Sequence, residues 1–250
     1  MKDVLHWLDL WVVVYPPLLC LYVMVAASLR VLAREGRAPA ASGPPPGIAV
    51  LVPAHNEELV IASCIESLLA STHPRVEIHV ISDGSTDATA RIAAGFAGRG
   101  VIVHEHVDNM GKSRALESAL AMVHSELVMV VDADTRMEPG ALSLMAAEFA
   151  DPRVVGATAN VRIRDPRGLL AKIQMVEYAS IIGLLKRANA AWGGLFTVSG
   201  AACCFRTATI RMFGGFQSES ITEDIELSWR LQAAGHKLVY VPAAIAHVEA

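Results

Sequence analysis

Short apolar runs alternate with segments of helical spacing between residues 48 and 159, and this alternation limits the possible folds more than any other feature. A β-α-β-α order with short connections predicts an α/β fold, in which helices cover both faces of a parallel sheet. The predicted strands are Ile48–Val52, Val76–Ser82, Val101–His106, Leu127–Val131 and Val154–Ala159. The predicted helices are Glu57–Ala70, Asp87–Ala97, Gly111–His124 and Pro139–Ala150. Ligands bind beyond the carboxyl ends of such strands, so the residues there are the candidates for chemistry.

An uncharged apolar run from Leu10 to Leu29 precedes this region. A helix of that length spans about 30 Å, the thickness of the hydrocarbon core of a bilayer. Pro16 and Pro17 are compatible with it, because membrane helices tolerate proline. A signal peptide and a buried soluble helix are the alternatives, but the run is longer than the apolar part of a normal signal peptide. We therefore predict an N-terminal transmembrane helix.

Basic residues follow the apolar run more densely than they precede it. Arg30, Arg34 and Arg37 come after it, and only Lys2 comes before it. The positive-inside rule then predicts an inner-membrane protein whose following domain is cytoplasmic. The sequence divides into a transmembrane anchor at 1–34, a Pro/Gly-rich linker at 35–47 and the α/β domain at 48–250.

Charge and cysteine usage remove several classes of function. The net charge is −4 and no basic tract is present, which argues against a nucleic-acid partner. The cysteines have no CxxC spacing, so neither a disulfide scaffold nor a zinc site is expected. They are Cys20, Cys64, Cys203 and Cys204.

Polar clusters stand at the ends of four successive predicted strands. They read PAHNE at 53–57, DGSTD at 83–87, NMGKS at 109–113 and DAD at 132–134. Each cluster alone is compatible with an ordinary turn or helix N-cap. Four of them at the same edge of one sheet indicate a ligand site.

Three nucleotide-binding patterns can be compared with these clusters. The G-x-G-x-x-G motif fails because PAHNEE follows the first strand, and the P-loop fails because His106 stands where its first glycine belongs. The remaining pattern is Asp132-x-Asp134, whose carboxylates are expected on the same side of an extended chain. Such a pair suits a hard divalent cation that also binds substrate phosphates, which Lys112 would help to neutralise. The alternative is a plain strand-end turn.

A further acidic cluster, Thr222-Glu223-Asp224, precedes the helical pattern IELSWRLQAAG. Acidic residues in a first helical turn are expected from the helix dipole alone. The other interpretation is that one of the two carboxylates is a general base.

The motifs PAHNE, DGSTD, NMGKSRAL, DADT and ITEDIELSW, in this order, resemble the inverting glycosyltransferase family 2. The segment 172–206, together with ITEDIELSWRLQ, closely resembles the poly-β-1,6-N-acetyl-D-glucosamine synthases of bacterial biofilms. The resemblance covers about residues 48–245. It implies a GT-A fold, which is Rossmann-like with a mostly parallel sheet, behind the N-terminal transmembrane helix.

The resemblance also implies roles for particular residues. Six would bind the nucleotide sugar: Ala54, His55 and Glu57 at uridine and ribose, Asp83 at uracil, Lys112 at the diphosphate and Asp132 on the sugar side. Asp134, with Asp132, would bind Mg²⁺ or Mn²⁺. Ser199 and Gly200 would border the acceptor, and Asp224 would be the general base, with Glu223 beside it.

The implied partners are a UDP-sugar, most simply UDP-N-acetylglucosamine, a growing glycan, membrane lipid and a possible membrane partner subunit. The apolar stripe of Gly168–Ala190 is expected either in the core or as an interfacial helix near the membrane. The family's Q-x-x-R-W motif is not found up to Ala250, so the resemblance implies a missing C-terminal part.

Three other functions stay open. The first is a chitin-, hyaluronan- or cellulose-type synthase, and the second is a transferase for a lipid-linked acceptor. The third is a catalytically silent nucleotide-sugar-binding module.

Overall fold

The computed structural model describes residues 2–34, 43–164, 166, 168–191, 195–216 and 223–249. Within these residues eight strands form one sheet, in the order β3-β2-β1-β4-β7-β6-β8-β5. The strands are β1 Ile48–Ala54, β2 Val76–Asp83, β3 Val101–His106, β4 Leu127–Val131, β5 Thr135–Met137, β6 Val154–Arg164, β7 Ala202–Arg206 and β8 Lys237–Glu249. The mixed α/β sheet agrees with the predicted fold class.

The first half of the sheet, β3-β2-β1-β4, is parallel throughout, as predicted. Ile48 of β1 is aligned with Val76 of β2 on one side and with Leu127 of β4 on the other. β4 is buried along its whole length, which is typical of a strand covered on both faces. The carboxyl ends of these strands therefore meet at one edge of the sheet.

The second half, β7-β6-β8-β5, has mixed direction. β7 is antiparallel to both β4 and β6, β6 is parallel to β8, and β5 is antiparallel to β8. The predicted strand at Val154–Ala159 exists and continues to Arg164, but β7 separates it from β4. β6 therefore runs in the same direction as β4, as predicted, but the antiparallel strand β7, which was not predicted, lies between the two.

Helices cover both faces of the sheet. They are α2 Ile61–Leu69, α3 Thr89–Ala94, α4 Lys112–Met122, α5 Ala141–Glu148, α6 Gly168–Tyr178, α7 Lys186–Ala191, α8 Thr207–Met212 and α9 Glu223–Ala233. α2, α3 and α5 pack on one face, whereas α4, α8 and α9 pack on the other. The predicted helices exist but begin later, since the residues before Ile61 and Thr89 form turns that hold neighbouring loops.

The N-terminal helix α1, Lys2–Arg34, contains the predicted anchor. Its stretch Trp11–Leu29 and the segment Gly168–Ala190 are both long and apolar enough to cross a membrane, judged by length and composition alone. Most apolar side chains between Trp11 and Leu29 are exposed.

Gly168–Ala190 packs against the core only in part, through Tyr178 and Ala190. Its side chains at Leu169, Leu170, Ile173 and Val176 are exposed, while a π-helical segment at Ala179–Leu185 leads into α7. The Arg187 guanidinium lies 5.5 Å from the ring of Tyr240 in β8. α6 therefore has an exposed apolar surface.

Candidate active site

The loops after β1 and β2 are held together by side chain–backbone hydrogen bonds. Asn56 has a φ of 58°, a left-handed conformation that asparagine tolerates, and its Oδ1 accepts from the Thr86 N–H at 2.8 Å. The Glu57 N–H donates to Thr89 Oγ1 at 2.8 Å, and the Glu58 N–H donates to an Asp87 carboxylate oxygen at 3.1 Å. PAHNE and DGSTD therefore form one rigid wall.

His55 belongs to the same wall. Its Nδ1 donates to the backbone carbonyl of Asp83 at 2.7 Å, and its Nε2 accepts from the Asn56 side-chain amide at 3.1 Å. Because a carbonyl only accepts, the proton stands on Nδ1. The ring orientation is thus fixed next to the end of β2.

Asp83 organises the third loop, NMGKS. Its buried carboxylate accepts from the N–H groups of Met110 at 3.1 Å and Gly111 at 2.8 Å, and from His106 Nδ1 at 3.0 Å. Gly84 also has no room for a side chain, because a Cβ there would lie 2.3 Å from the Asn109 nitrogen. Asp83 therefore fixes the loop that leads to Lys112, in addition to the uracil contact predicted for it.

Lys112 and Asp132 meet at the centre of the site. Lys112 begins α4, and its Nζ donates to Asp132 Oδ1 at 2.6 Å. About a third of each side chain is exposed, which leaves both groups accessible to a ligand. The predicted phosphate-binding lysine and the first acid of the DAD cluster are therefore brought together.

The second acid, Asp134, lies in a turn with Asp132 and not in the extended chain that was predicted. Residues 132–135 form a turn in which the Thr135 N–H donates to the Asp132 carbonyl at 2.9 Å, so the chain is not extended there. Both acids nevertheless border the same cleft. The prediction that Asp132 and Asp134 belong to an extended chain was wrong, because β4 ends at Val131.

Negative charge accumulates at this point. The pKa of Glu57 is raised, first by burial and then by the nearby charges of Asp134 and Asp132. Within the described residues no group of three or more His, Cys, Asp or Glu side chains is placed to hold a metal ion on its own. The Asp132–Asp134 pair suits a hard divalent cation whose other ligands are phosphate oxygens and water.

A cleft of about 340 Å³ joins these groups. Its lining contains all the residues predicted for the nucleotide sugar and the metal, namely Ala54, His55, Glu57, Asp83, Lys112, Asp132 and Asp134. Pro53, Asn109, Gly111 and Ala133 also line it. These four had no assigned role, although each lies within or beside a quoted motif.

The predicted acceptor loop and general base lie together beside this cleft. Asp224 Oδ2 accepts from the Gly200 N–H at 2.8 Å, and its Oδ1 accepts from the Ile225 N–H at 2.9 Å. The Ser199 N–H donates to Thr158 Oγ1 of β6 at 2.9 Å. Glu223 begins α9, but its side chain lies outside the described residues.

Gly200 connects this group to the donor cleft. A Cβ added at Gly200 would lie 3.0 Å from Asp224 Oδ2 and 3.6 Å from Lys112 Nζ. Residues 112, 200 and 224 are far apart in the sequence, so the fold alone brings them together.

Lys186, within the stretch Gly168–Ala190, is a buried lysine to which the sequence analysis assigned no role. Its side chain is 9% exposed, and burial lowers its pKa to about 8, against the opposing effect of Cys203 and Asp224. The signal that could have singled it out is a lysine at the end of the apolar stretch ASIIGLL.

The fold, the acidic pair and the polar cleft define a GT-A glycosyltransferase. The sequence matches the family described as Glycosyltransferase like family 2 over residues 44–250. The chain therefore belongs to glycosyltransferase family 2.

Two relatives within that family are similar to most of this chain. The poly-β-1,6-N-acetyl-D-glucosamine synthase of Staphylococcus epidermidis is 35% identical over 201 residues, and that of Staphylococcus aureus is 34% identical over the same length. In both cases the match covers 80% of this chain and 49% of the relative. The chain thus spans about half the length of these synthases.

Solved structures share the fold. The mannosyltransferase PcManGT from Pyrobaculum calidifontis, in complex with GDP-Man and Mn²⁺, has a TM-score of 0.75 at 21% identity, covering 92% of this chain and 63% of that one. S. aureus TarS 1–349 in complex with UDP-GlcNAc has a TM-score of 0.63 at 19% identity, covering 82% and 58%. At these identities the likeness supports the fold.

Proposed function

We propose that this chain is an inverting transferase that moves N-acetylglucosamine from UDP-N-acetylglucosamine to a hydroxyl of a β-linked glycan of the poly-N-acetylglucosamine type. The observation that carries the proposal is the position of Gly200 between Asp224 and Lys112, beside a cleft lined by acidic residues. The names of the two staphylococcal synthases and the UDP-GlcNAc complex of TarS support the choice of donor.

The donor would lie along the cleft from the loops after β1 and β2 to Asp132. Ala54, His55 and Glu57 are proposed to contact uridine and ribose, and Asp83 to accept from the uracil ring. Lys112 would exchange part of its contact with Asp132 for the diphosphate, because a diphosphate with two negative charges attracts an ammonium more strongly than one carboxylate does.

A divalent cation, Mg²⁺ or Mn²⁺, is the proposed cofactor, held by Asp134 together with Asp132. PcManGT is described in complex with Mn²⁺. When bound, such an ion supplies positive charge that stabilises the leaving diphosphate. Because the part of the chain that the structure describes offers a pair of carboxylates rather than a complete ligand set, we expect ion and nucleotide to bind cooperatively.

Transfer would be a single displacement. Asp224 takes the proton of the acceptor hydroxyl, the hydroxyl oxygen forms a bond to the anomeric carbon, and the bond from that carbon to the diphosphate oxygen breaks. UDP leaves with the bonding electrons on the opposite side, so an α-linked donor gives a β-linkage. The two backbone N–H groups on Asp224 fix its carboxylate for this task, and Lys112 stabilises the leaving group.

Attachment to the membrane is the second part of the proposal. α1 would cross the inner membrane with the catalytic domain on the cytoplasmic side, and the exposed apolar side chains of α6 would contact lipid. Ala188 of α7 packs against Ala26 and Ala27 of α1, which places α7 directly beside the anchor. A membrane partner subunit is proposed only from the family resemblance.

The experiment is to express the chain in membranes and to measure UDP release from a panel of UDP-sugars, followed by linkage analysis of the product. We expect UDP-N-acetylglucosamine to be preferred and the linkage to be β. Preference for another UDP-sugar indicates a different β-glycan synthase. If the transferred sugar is recovered only in the lipid extract, the acceptor is lipid-linked. UDP binding without turnover of any donor would identify a silent nucleotide-sugar-binding module.

A further inference from the structure

His106 ends β3, and its side chain lies against the buried carboxylate of Asp83, although His106 is not among the residues that line the donor cleft. The two residues are aligned in the β2–β3 register, and the Gly84 N–H donates to the His106 carbonyl at 3.2 Å. His106 Nδ1 lies 3.0 Å from Asp83 Oδ1, and the two side chains are 17% and 5% exposed. Backbone and side-chain contacts therefore join the ends of the two strands.

The other ring nitrogen of His106 contacts α4. Its Nε2 lies 3.1 Å from the hydroxyl oxygen of Ser118. That hydroxyl has one hydrogen, which it donates to the Ala115 carbonyl at 2.8 Å, so its oxygen accepts from His106. The Asp83 carboxylate accepts as well, which places a hydrogen on Nδ1. Both ring nitrogens therefore donate, and the imidazole bridges Asp83 and α4.

This bridge fixes the orientation of the Asp83 carboxylate. Oδ1 accepts from His106, Oδ2 accepts from the Gly111 N–H at 2.8 Å, and the Met110 N–H lies 3.1 Å from both oxygens. Rotation of the carboxylate would break at least one of these bonds. Without His106, Oδ1 would keep only the N–H that it shares with Oδ2, and the carboxylate would no longer be held from both sides.

A carboxylate in a fixed orientation can distinguish two pyrimidine bases. Uracil has a hydrogen on N3 and can donate it, whereas cytosine has a lone pair on N3 that a carboxylate oxygen repels. A site built to accept a hydrogen rejects a ligand that lacks it, because the buried acceptor is then left unpaired. The discrimination requires that the oxygen stays in place.

We infer that His106 is a positioning residue for Asp83, which holds the carboxylate as an acceptor for uracil and against cytosine. The inference rests on the proposed function, in which Asp83 accepts from the uracil ring of the donor. It also gives α4 two tasks, since this helix supplies Lys112 for the diphosphate at its first residue and Ser118, which holds His106, further along.

The first test measures the hydrogens on the ring and needs no ligand. The chain has nine histidines, few enough for ¹⁵N-imidazole NMR of the full chain in micelles, with His106 assigned by its loss in His106→Leu. We expect both His106 nitrogens to be protonated at neutral pH. His79 and His104 are the comparison within the molecule, because their facing nitrogens lie 3.0 Å apart and burial lowers the pKa of both rings. An unprotonated Nε2 on His106 would overturn the inference.

The second test is calorimetric titration with UDP and with CDP, which carry the same diphosphate. We expect the wild-type chain to prefer UDP, and we expect His106→Leu to lower the affinity for UDP about tenfold while the affinity for CDP changes less than twofold. His106→Asn, whose amide can donate to Asp83, should recover most of the UDP preference. His124→Leu, at an exposed histidine, is the matched control and should leave both affinities unchanged.

A merely structural role for His106 would loosen the loop before Lys112 and weaken UDP and CDP equally, and that result would overturn the inference. An unchanged UDP preference in His106→Leu would do the same. If the wild-type chain binds UDP and CDP equally, the uracil contact of the proposed function fails, whereas the NMR measurement still decides whether His106 bridges Asp83 and Ser118.

Discussion

In the parallel half of the sheet, β3-β2-β1-β4, every candidate functional residue follows its own strand within a few positions. In the mixed half, β7-β6-β8-β5, the candidates come from the loop before β7 and from the first turn of α9. In the parallel half, the donor cleft is therefore formed by the loops that directly follow neighbouring strands. The arrangement in the mixed half depends on contacts such as that between Gly200 and Asp224, 24 positions apart.

The two regions also differ in how they are held. The donor loops are joined by several side chain–backbone bonds, with Asp83 at their centre. The acceptor loop is held to α9 by Asp224 and by Ser228, whose hydroxyl donates to the Asp224 carbonyl at 2.6 Å and accepts from the Val198 N–H at 3.1 Å. Donor binding and group transfer should therefore be separable by mutation.

The strongest test of this separation is Asp224→Asn. The amide keeps the size of the side chain but cannot take a proton, so we expect the transfer rate to fall about 10²- to 10⁴-fold while UDP affinity stays within a few-fold. UDP release and calorimetric UDP titration measure the two quantities. Glu66→Gln, an exposed acid on α2, is the control. Near-normal transfer by Asp224→Asn would exclude it as the base and make Glu223 the next candidate.

Asp83→Ala should produce the opposite pattern. It leaves the Met110 and Gly111 N–H groups without their buried acceptor, which costs about 1–3 kcal/mol, and it loosens the loop before Lys112. We expect UDP affinity to fall about tenfold or more, and the unfolding temperature to drop by several degrees. Asp108→Ala, on the exposed part of the same loop, should change neither. Full UDP affinity in Asp83→Ala would show that the donor does not depend on this loop.

Asp134→Ala tests the proposed metal site in the parallel half of the sheet. Mg²⁺ or Mn²⁺ should tighten UDP binding to the wild-type chain by about tenfold, because a pair of carboxylates and a diphosphate share the ion. The substitution should remove most of that gain and leave binding in chelator nearly unchanged. Equal UDP affinity of the wild-type chain with metal and with excess chelator would contradict a metal site at this pair.

The same contrast explains what could be predicted from the sequence. The parallel half has clear periodicity and polar strand ends, so its strands and the cleft lining were predicted by residue. β7 is only five residues long, four of them buried, and Pro242 within β8 argues against a strand unless pairing is irregular. Its carbonyl accepts from the Asn160 amide at 3.0 Å, where the β6–β8 register shifts.

Gly200→Ala is expected to have the smallest effect. It tests whether a change between the two regions affects Asp224 without affecting the donor cleft. The new Cβ would stand 3.0 Å from Asp224 Oδ2, tighter than ordinary van der Waals contact, but 3.6 Å from Lys112 Nζ, which is acceptable. The carboxylate must therefore give way by a few tenths of an ångström, while the lysine and the donor cleft stay in place. Because transfer depends on the position of the base, we expect kcat to fall several-fold, with UDP affinity and metal response unchanged within twofold. Gly98→Ala, at a position where a Cβ meets nothing within 4 Å, is the matched glycine control. A loss of UDP affinity equal to the loss of kcat would mean that the acceptor loop and the donor cleft act as one unit.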